Sequence, residues 1–329
     1  MNKTIIVTGG AGFIGSHLCE KLVGKGNMIV CLDNLLTGSQ KNIAHLMSKK
    51  NFIFINHDVS MSFKSKKFLK IDEIYHFASC ADPNVKSPFS YMAHPFETMR
   101  ANSIGTWNMC DLALHNGAKL LFASTSEVYG DPTISVQNEE YRGNVSSTGP
   151  RSVYDEAKRF GETIVAAYVR IKGLDARITR IFNTYGPRMN VLEGRAVVNF
   201  IKQSLKNAPL TIYGTGKQTR SFCFIDDQVE GQILAMDKGQ SGEVFNIGNP
   251  DERSILEFAT IIRELVSRKL EIKKLTKSKS EFEFLALPED DPKQRMPDIS
   301  KARRLLGWEP VTKLEKGLLK TIEYFKAAL

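Results

Sequence analysis

The chain has 329 residues, of which 42% are hydrophobic and 25% charged, with a formal net charge of +9. This length supports a large core, as one big domain or two modest ones, and the composition is ordinary for a soluble globular protein. No stretch approaches the roughly 20 apolar residues of a membrane span, and the N-terminus enters a strand pattern directly, so neither a signal nor a transit peptide is expected.

In chain order, TIIVTG (4–9) predicts a strand, and residues 13–25 carry helical spacing. NMIVCLD (27–33), NFIFIN (51–56) and EIYHFA (73–78) read as further strands. Residues 95–115 read as one long helix, followed by a buried strand, AKLLFAST (118–125), a helix over 152–172 and a strand over 174–182. Strands alternating with helices imply right-handed crossovers and a parallel, doubly wound α/β sheet of Rossmann type. After about residue 183 Gly and Pro punctuate shorter elements, with helices expected at 194–206, 226–238, 254–268 and 312–328. The expected division is a dinucleotide-binding part, 1–182, and a smaller α/β region, 183–329, over the carboxyl edge of the sheet, with some chain returning to that sheet.

The first chemical signal is GGAGFIG (9–15), lying between a strand and a helix. In that context Gly9 permits a tight turn, Gly12 lets backbone approach a pyrophosphate, and Gly15 lets the helix pack close to the strand. The helix N-terminus offers free N–H groups to the phosphates. Asp33 ends the second strand, where a carboxylate accepts from the ribose diol and repels a 2′-phosphate, favouring NAD over NADP. Asp58, after the third strand, is placed either at the adenine edge or in an ordinary turn. Phe13, Ile14, Asn34, Val59, Ala78 and Asn102 are expected beside the same cofactor.

The second signal is STSEVYG (124–130) followed by YDEAK (154–158). Tyr154 and Lys158 are four residues apart on a predicted helix and share one face. A free tyrosine titrates near 10, too high for a base at neutral pH; a neighbouring ammonium and a cationic nicotinamide would lower it. Thr125 is placed to share the hydroxyl proton. These groups suit removal of an alcohol proton while a nicotinamide takes the hydride.

Together GGAGFIG, STSEVYG, YDEAK, RIFNTYGPRM (180–189), LTIYGTGKQTRSFCFIDD (210–227) and DDPKQRMPD (290–298) resemble the extended short-chain dehydrogenase/reductase superfamily. Within it the chain is most similar to the UDP-glucuronate decarboxylases, over nearly its whole length. The resemblance implies oxidation at C4 of a UDP-uronate by bound NAD, decarboxylation of the resulting β-keto acid, and re-reduction to UDP-xylose, with the cofactor retained. Related 4,6-dehydratases usually carry Asp-Glu after the threonine; here the pair is Ser126-Glu127, and a serine cannot replace that acid. The resemblance implies that Glu127 acts near the departing carboxylate and that Arg295 binds it, steadies the enolate or holds a water. It places Asn183, Arg188 and Arg220 at the diphosphate, Tyr213 at the uracil, Arg195 and Asn199 at the uridine, and Tyr91 at the sugar.

One stretch, SCADPNVKSPFSYMAHP (79–95), is several residues longer than its counterpart in those decarboxylases and should border the sugar. Glucuronate, galacturonate and an N-acetylated uronate therefore all stay open, as do a UDP-sugar 4-epimerase, a dehydratase and a non-catalytic NAD(H)-binding regulator. A homodimer through the helices at 95–115 and 152–172 is implied by the resemblance. The five cysteines are scattered and never spaced CxxC, so reduced buried thiols, no metal site and a cytoplasmic setting are expected. The basic runs at 64–67 and 277–279 lack interleaved aromatics and read as solvated surface, with no nucleic-acid or membrane partner expected.

Overall fold

The computed structural model describes residues 2–63, 70–272, 280–286 and 294–329; the basic runs 64–67 and 277–279 and the first part of 290–298 fall outside them. The strands β1 (Thr4–Thr8), β2 (Met28–Asp33), β3 (Phe52–Asn56), β4 (Glu73–His76), β5 (Lys119–Thr125) and β6 (Ala176–Ile181) join Val244–Ile247 in one sheet. Its order is Val244–Ile247, β6, β5, β4, β1, β2, β3, and every pair is parallel. The order reverses between β1 and β4, and such a reversal opens a crevice at the carboxyl ends of the strands. Apolar runs such as Ile5–Val7 and Leu120–Phe122 are buried, as expected of parallel strands covered on both faces.

Four helices position the site: α1 (Phe13–Gly24), α2 (Pro95–Asn102), α3 (Ile104–Asn116) and α4 (Ser152–Lys172). The single long helix expected over 95–115 is instead two. Ser103 departs from helical geometry, with φ −108 and ψ −78, and its hydroxyl donates to the Met99 carbonyl at 2.6 Å. Such back-bonding competes with the helical ladder and bends it. Glycines in left-handed conformation, Gly117 and Gly173, end α3 and α4.

Beyond residue 183 the helices Ala196–Leu205, Ile225–Lys238, Ile255–Ile272 and Leu314–Ala328 form, with a further short helix at Ser300–Leu306 that sequence reading did not anticipate. Helix Ile225–Lys238 leads into Val244–Ile247, which extends the main sheet beyond β6. A smaller sheet joins Glu252–Ser254, Thr219–Ser221 and Gln294–Arg295. Its register sets Arg295 directly beside Arg220. A residue near the C-terminus is thereby carried to the mouth of the crevice.

Candidate active site

A cavity of about 760 Å³ runs along the carboxyl edge of the sheet, from the glycine turn to the smaller sheet. At one end the turn after β1 needs its glycines. Gly9 has φ +67, and a Cβ there would lie 2.9 Å from the Ala78 backbone; a Cβ on Gly15 would lie 2.1 Å from the Gly9 carbonyl. Gly12 caps α1 and lines the cavity, as do Phe13 and Ile14. Asp33 ends β2 at the same place, with its carboxylate accepting from the Ala11 and Leu35 N–H groups at 2.9 and 2.8 Å. Burial pushes its pKa up against those two bonds. A carboxylate has about four acceptor positions, so Asp33 can still accept from a diol. Asn34, Asp58, Val59 and Ala78 line this end too. Glycine backbone at a helix N-terminus, an adenine-side cleft and an acceptor at the end of β2 fit a dinucleotide such as NAD.

Asn102 is not in the lining. It lies one layer behind, donating from Nδ2 to the Ser79 hydroxyl at 2.8 Å, and Ser79 faces the cavity. Arg188 also lies elsewhere. It has φ +67, and its guanidinium pairs with Glu20 of α1 and approaches His45 at 3.5 Å. Arg188 is thus outside the cavity lining, tied to Glu20 of α1.

In the middle of the cavity α4 presents Tyr154 and Lys158 toward the end of β5. Burial raises the Tyr154 phenol above its ordinary value, opposed by a hydrogen bond from Thr125. Burial also lowers Lys158 to about 7, only partly opposed by the nearby Glu162 carboxylate. The Lys158 ammonium donates to the Ala123 carbonyl at 2.6 Å and stands 5.9 Å from the centre of the Tyr154 ring. Desolvation is the largest influence on both groups. Tyr91 stacks on Tyr154 with ring centres 4.9 Å apart and planes 5° apart, and its buried hydroxyl has no partner.

Beside this pair lies an ion cluster. Thr125 caps the short 3-10 turn Ser126–Tyr129, accepting from the Glu127 N–H at 3.2 Å. That turn aims the Glu127 carboxylate at two guanidiniums. Arg295 engages both its oxygens, one of them at 2.9 Å, and Arg151 donates to it at 2.6 Å. Burial alone would raise the pKa of Glu127, but Arg151 and Arg295 overcome it and hold the carboxyl at about 2. Next along α4, burial and the Glu127 charge push Asp155 up to about 8, and its Oδ1 is buried without a partner. Two neighbouring carboxyl groups are thus driven apart, one fixed as an anion and one kept as an acid.

The far end is lined by Asn183, Arg195, Asn199, Tyr213 and Arg220. The Asn183 Nδ2 is buried with no hydrogen-bond partner. Arg195 is tied to the long loop: it donates to the Ala81 carbonyl at 3.1 Å and meets Glu193 at 3.4 Å. Asp82 of the same loop accepts from the Gly194 N–H at 3.3 Å, so residues 79–95 fold over the cavity and line it. Arg151, Asp155 and Glu193 went unnoticed in the sequence. The only available signal was position, since Arg151 sits at the N-cap of α4, three residues before Tyr154.

The description "NAD dependent epimerase/dehydratase family" matches residues 5–248. The chain is 48% identical over 327 residues to UDP-glucuronic acid decarboxylase 1 of Xenopus tropicalis, spanning 99% of this chain and 73% of that protein. It is 46% identical over 329 residues to UDP-glucuronic acid decarboxylase 6 of Arabidopsis thaliana, spanning 100% of this chain and 90% of the relative. Among solved structures it is similar to the UDP-glucuronic acid 4-epimerase of Bacillus cereus in complex with UDP-glucuronic acid and NAD. There the TM-score is 0.85 and the identity 32%, covering 99% of this chain and all of the other.

Proposed function

The chain belongs to the NAD-dependent epimerase/dehydratase family, and from that premise we propose that it converts UDP-glucuronate to UDP-xylose with loss of carbon dioxide. NAD, when bound, supplies an acceptor for the C4 hydride and returns the hydride after the carbon dioxide has left. The observation that carries the reading is the carboxylate of Glu127, shared by Arg151 and Arg295 within one cavity with Thr125 and Tyr154. Ser126 stands where an expelled hydroxyl would need an acid, so dehydration is disfavoured.

Tyr154, steadied by Thr125, holds and returns the proton of the C4 hydroxyl. Once C4 is a ketone, the C6 carboxylate lies β to it; its bond to C5 breaks with the electron pair entering an enolate, carbon dioxide leaves, and C5 takes a proton from water before C4 is reduced again. Arg295, kept rigid by Glu127, grips the departing carboxylate and steadies the developing charge. Asp33 takes the ribose diol, and Phe13, Ile14, Asn34, Asp58, Val59 and Ala78 enclose the cofactor. Asn183 and Arg220 meet the diphosphate, while Tyr213, Asn199 and Arg195 frame the uridine. Residues 1–182 then serve mainly the cofactor and 183–329 mainly the nucleotide sugar.

The outer face of α2, α3 and α4 exposes Phe96 (65%), Trp107 (52%) and Phe160 (51%), with Met99 and Ile104 between them. Exposed apolar side chains on these helices support a homodimer through them. The five cysteines are free and buried, which supports a reducing, cytoplasmic setting. Among the described residues no helix is long and apolar enough to cross a membrane.

The test is incubation with UDP-glucuronate and NAD, followed by product analysis by NMR and mass spectrometry. Carbon dioxide and a UDP-pentose are expected. A product that keeps its carboxylate, whether unchanged or inverted at C4, defeats the reading.

A further inference from the structure

We propose that Gly194 is the positioning residue that seats the long loop 79–95 over the sugar: its bare α-carbon leaves the notch into which the Asn84 side chain fits. This rests on the UDP-uronate reading above and names the contact that closes the same pocket. A Cβ on Gly194 would lie 1.7 Å from Asn84 Nδ2 and 2.2 Å from both Asn84 Cβ and Asn84 Cγ, so no larger residue shares this space with the loop. Gly194 is not among the glycines with a positive φ, so it is needed for room and not for its backbone conformation.

The Asn84 side chain has little freedom to withdraw. Its Oδ1 accepts from the Lys86 N–H at 2.9 Å, and its backbone N–H donates to Asp82 Oδ1 at 3.1 Å. Asp82 is buried, and its other oxygen accepts from the Gly194 N–H at 3.3 Å. One residue further, Arg195 donates to the Ala81 carbonyl at 3.1 Å. These contacts stitch residues 81–84 to the two residues that precede helix Ala196–Leu205. At its other foot the loop carries Tyr91, whose N–H donates to the Asp82 carbonyl at 3.1 Å and whose ring stacks on Tyr154. The loop thus runs from the tyrosine assigned to C4 to the residues assigned to the uridine, and Pro83, Asn84, Lys86 and Phe89 line the cavity between them. A sugar joined to UDP and presented to Tyr154 lies under that span, and its enclosure depends on the notch at Gly194.

The test uses the full-length NAD-loaded protein carrying Tyr154→Phe, which prevents turnover and keeps an aromatic ring against Tyr91. Calorimetric affinities for UDP-glucuronate and UDP are measured with Gly194→Ala, with Asn84→Gly and with both. Gly194→Ala should weaken UDP-glucuronate about tenfold relative to UDP, the scale of one hydrogen bond, with NAD affinity moving less than about twofold. Asn84→Gly should weaken UDP-glucuronate when Gly194 is present and strengthen it when Ala stands there, because it then relieves the clash. A glycine needed only for the local fold produces no such reversal of sign. Additive losses overturn the proposal, as do an unchanged ratio of the two affinities and an equal loss for UDP-glucuronate, UDP and NAD.

A second measurement needs no sugar nucleotide. Hydrogen–deuterium exchange over residues 81–92 of the NAD-loaded protein should be faster with Gly194→Ala than in the unmodified chain, and slower again once Asn84→Gly is added. Exchange that does not respond to the added methyl overturns the proposal. Release of carbon dioxide by the unmodified chain bears on the functional reading alone; the exchange rates bear on Gly194 alone.

Discussion

Replacing Glu127 by Gln keeps the shape of the side chain and removes its charge, leaving Arg151 and Arg295 without the carboxylate that both engage. The size of the effect follows from the titration of that carboxyl. Its ordinary value is 4.5; burial opposes ionisation, yet Arg151 and Arg295 bring it to about 2 in the fold. That interval corresponds to about 3 kcal/mol of stability, the lower end of the roughly 3–5 kcal/mol lost when a buried ion pair loses one partner. The sign is that of a depressed carboxyl: its contribution is complete above about 4.5 and vanishes as the pH falls toward 2. Urea unfolding of both proteins, followed by tryptophan fluorescence, measures the gap between them. It should be about 3 kcal/mol at pH 7, level down to about pH 5, and narrower below, because a protonated glutamic acid resembles glutamine. Other low-titrating carboxyls, such as Asp72 and Glu20, occur in both proteins and drop out of the difference; Asp155, which the Glu127 charge pushes up, does not, so both proteins carry Asp155→Asn in this comparison. A gap under about 1 kcal/mol at pH 7, or one that widens with acid, refutes the reasoning.

Gly15→Ala forces a methyl to within 2.1 Å of the Gly9 carbonyl, so the glycine turn must open; NAD affinity should fall at least about tenfold in a fluorescence titration, with UDP affinity unaltered. Lys158→Met removes an amine that burial has brought down to about 7. It should stop turnover yet stabilise the ligand-free chain by about 0.5–2 kcal/mol in thermal melts at pH 6, where the buried ammonium is charged and costly; destabilisation would contradict this. Phe160→Asp, on the exposed face of α4, should dissociate the proposed dimer in sedimentation velocity while leaving the fold of each subunit intact.

The central sheet was legible because parallel strands covered on both sides must be apolar throughout, and runs such as IIV at 5–7 and LLF at 120–122 have no other use. The break at Ser103 was hidden, because a serine inside a helical pattern leaves the period unchanged and only its bond to the Met99 carbonyl reveals the bend. The seventh strand, Val244–Ile247, is four residues long, and nothing local tells where in a sheet so short a run will pair. Within the site, Tyr154 and Lys158 were readable from their spacing on one helix. Arg151 was not, since its significance comes from Glu127, 24 residues upstream and on another element. Arg188 shows the converse: a basic residue in a phosphate-side motif suggests a ligand, while its left-handed backbone accompanies a pairing with Glu20 of α1.

The placement of Arg295 ties the two halves of the molecule to one chemical purpose. The segment Gln294–Arg295 pairs with Thr219–Ser221, and Gln294 also donates to Glu252 on the strand at the far side of that small sheet. Arg295 therefore reaches Glu127 only when the C-terminal region is folded onto the sheet that carries β5. A carboxylate on the turn after β5, held by one group at the start of α4 and one from the C-terminal strand, records whether all three are in register. The site best able to stabilise an enolate is thus also the one whose assembly requires the complete fold, and a substrate that draws Arg295 toward its own carboxylate still leaves Glu127 anchored by Arg151.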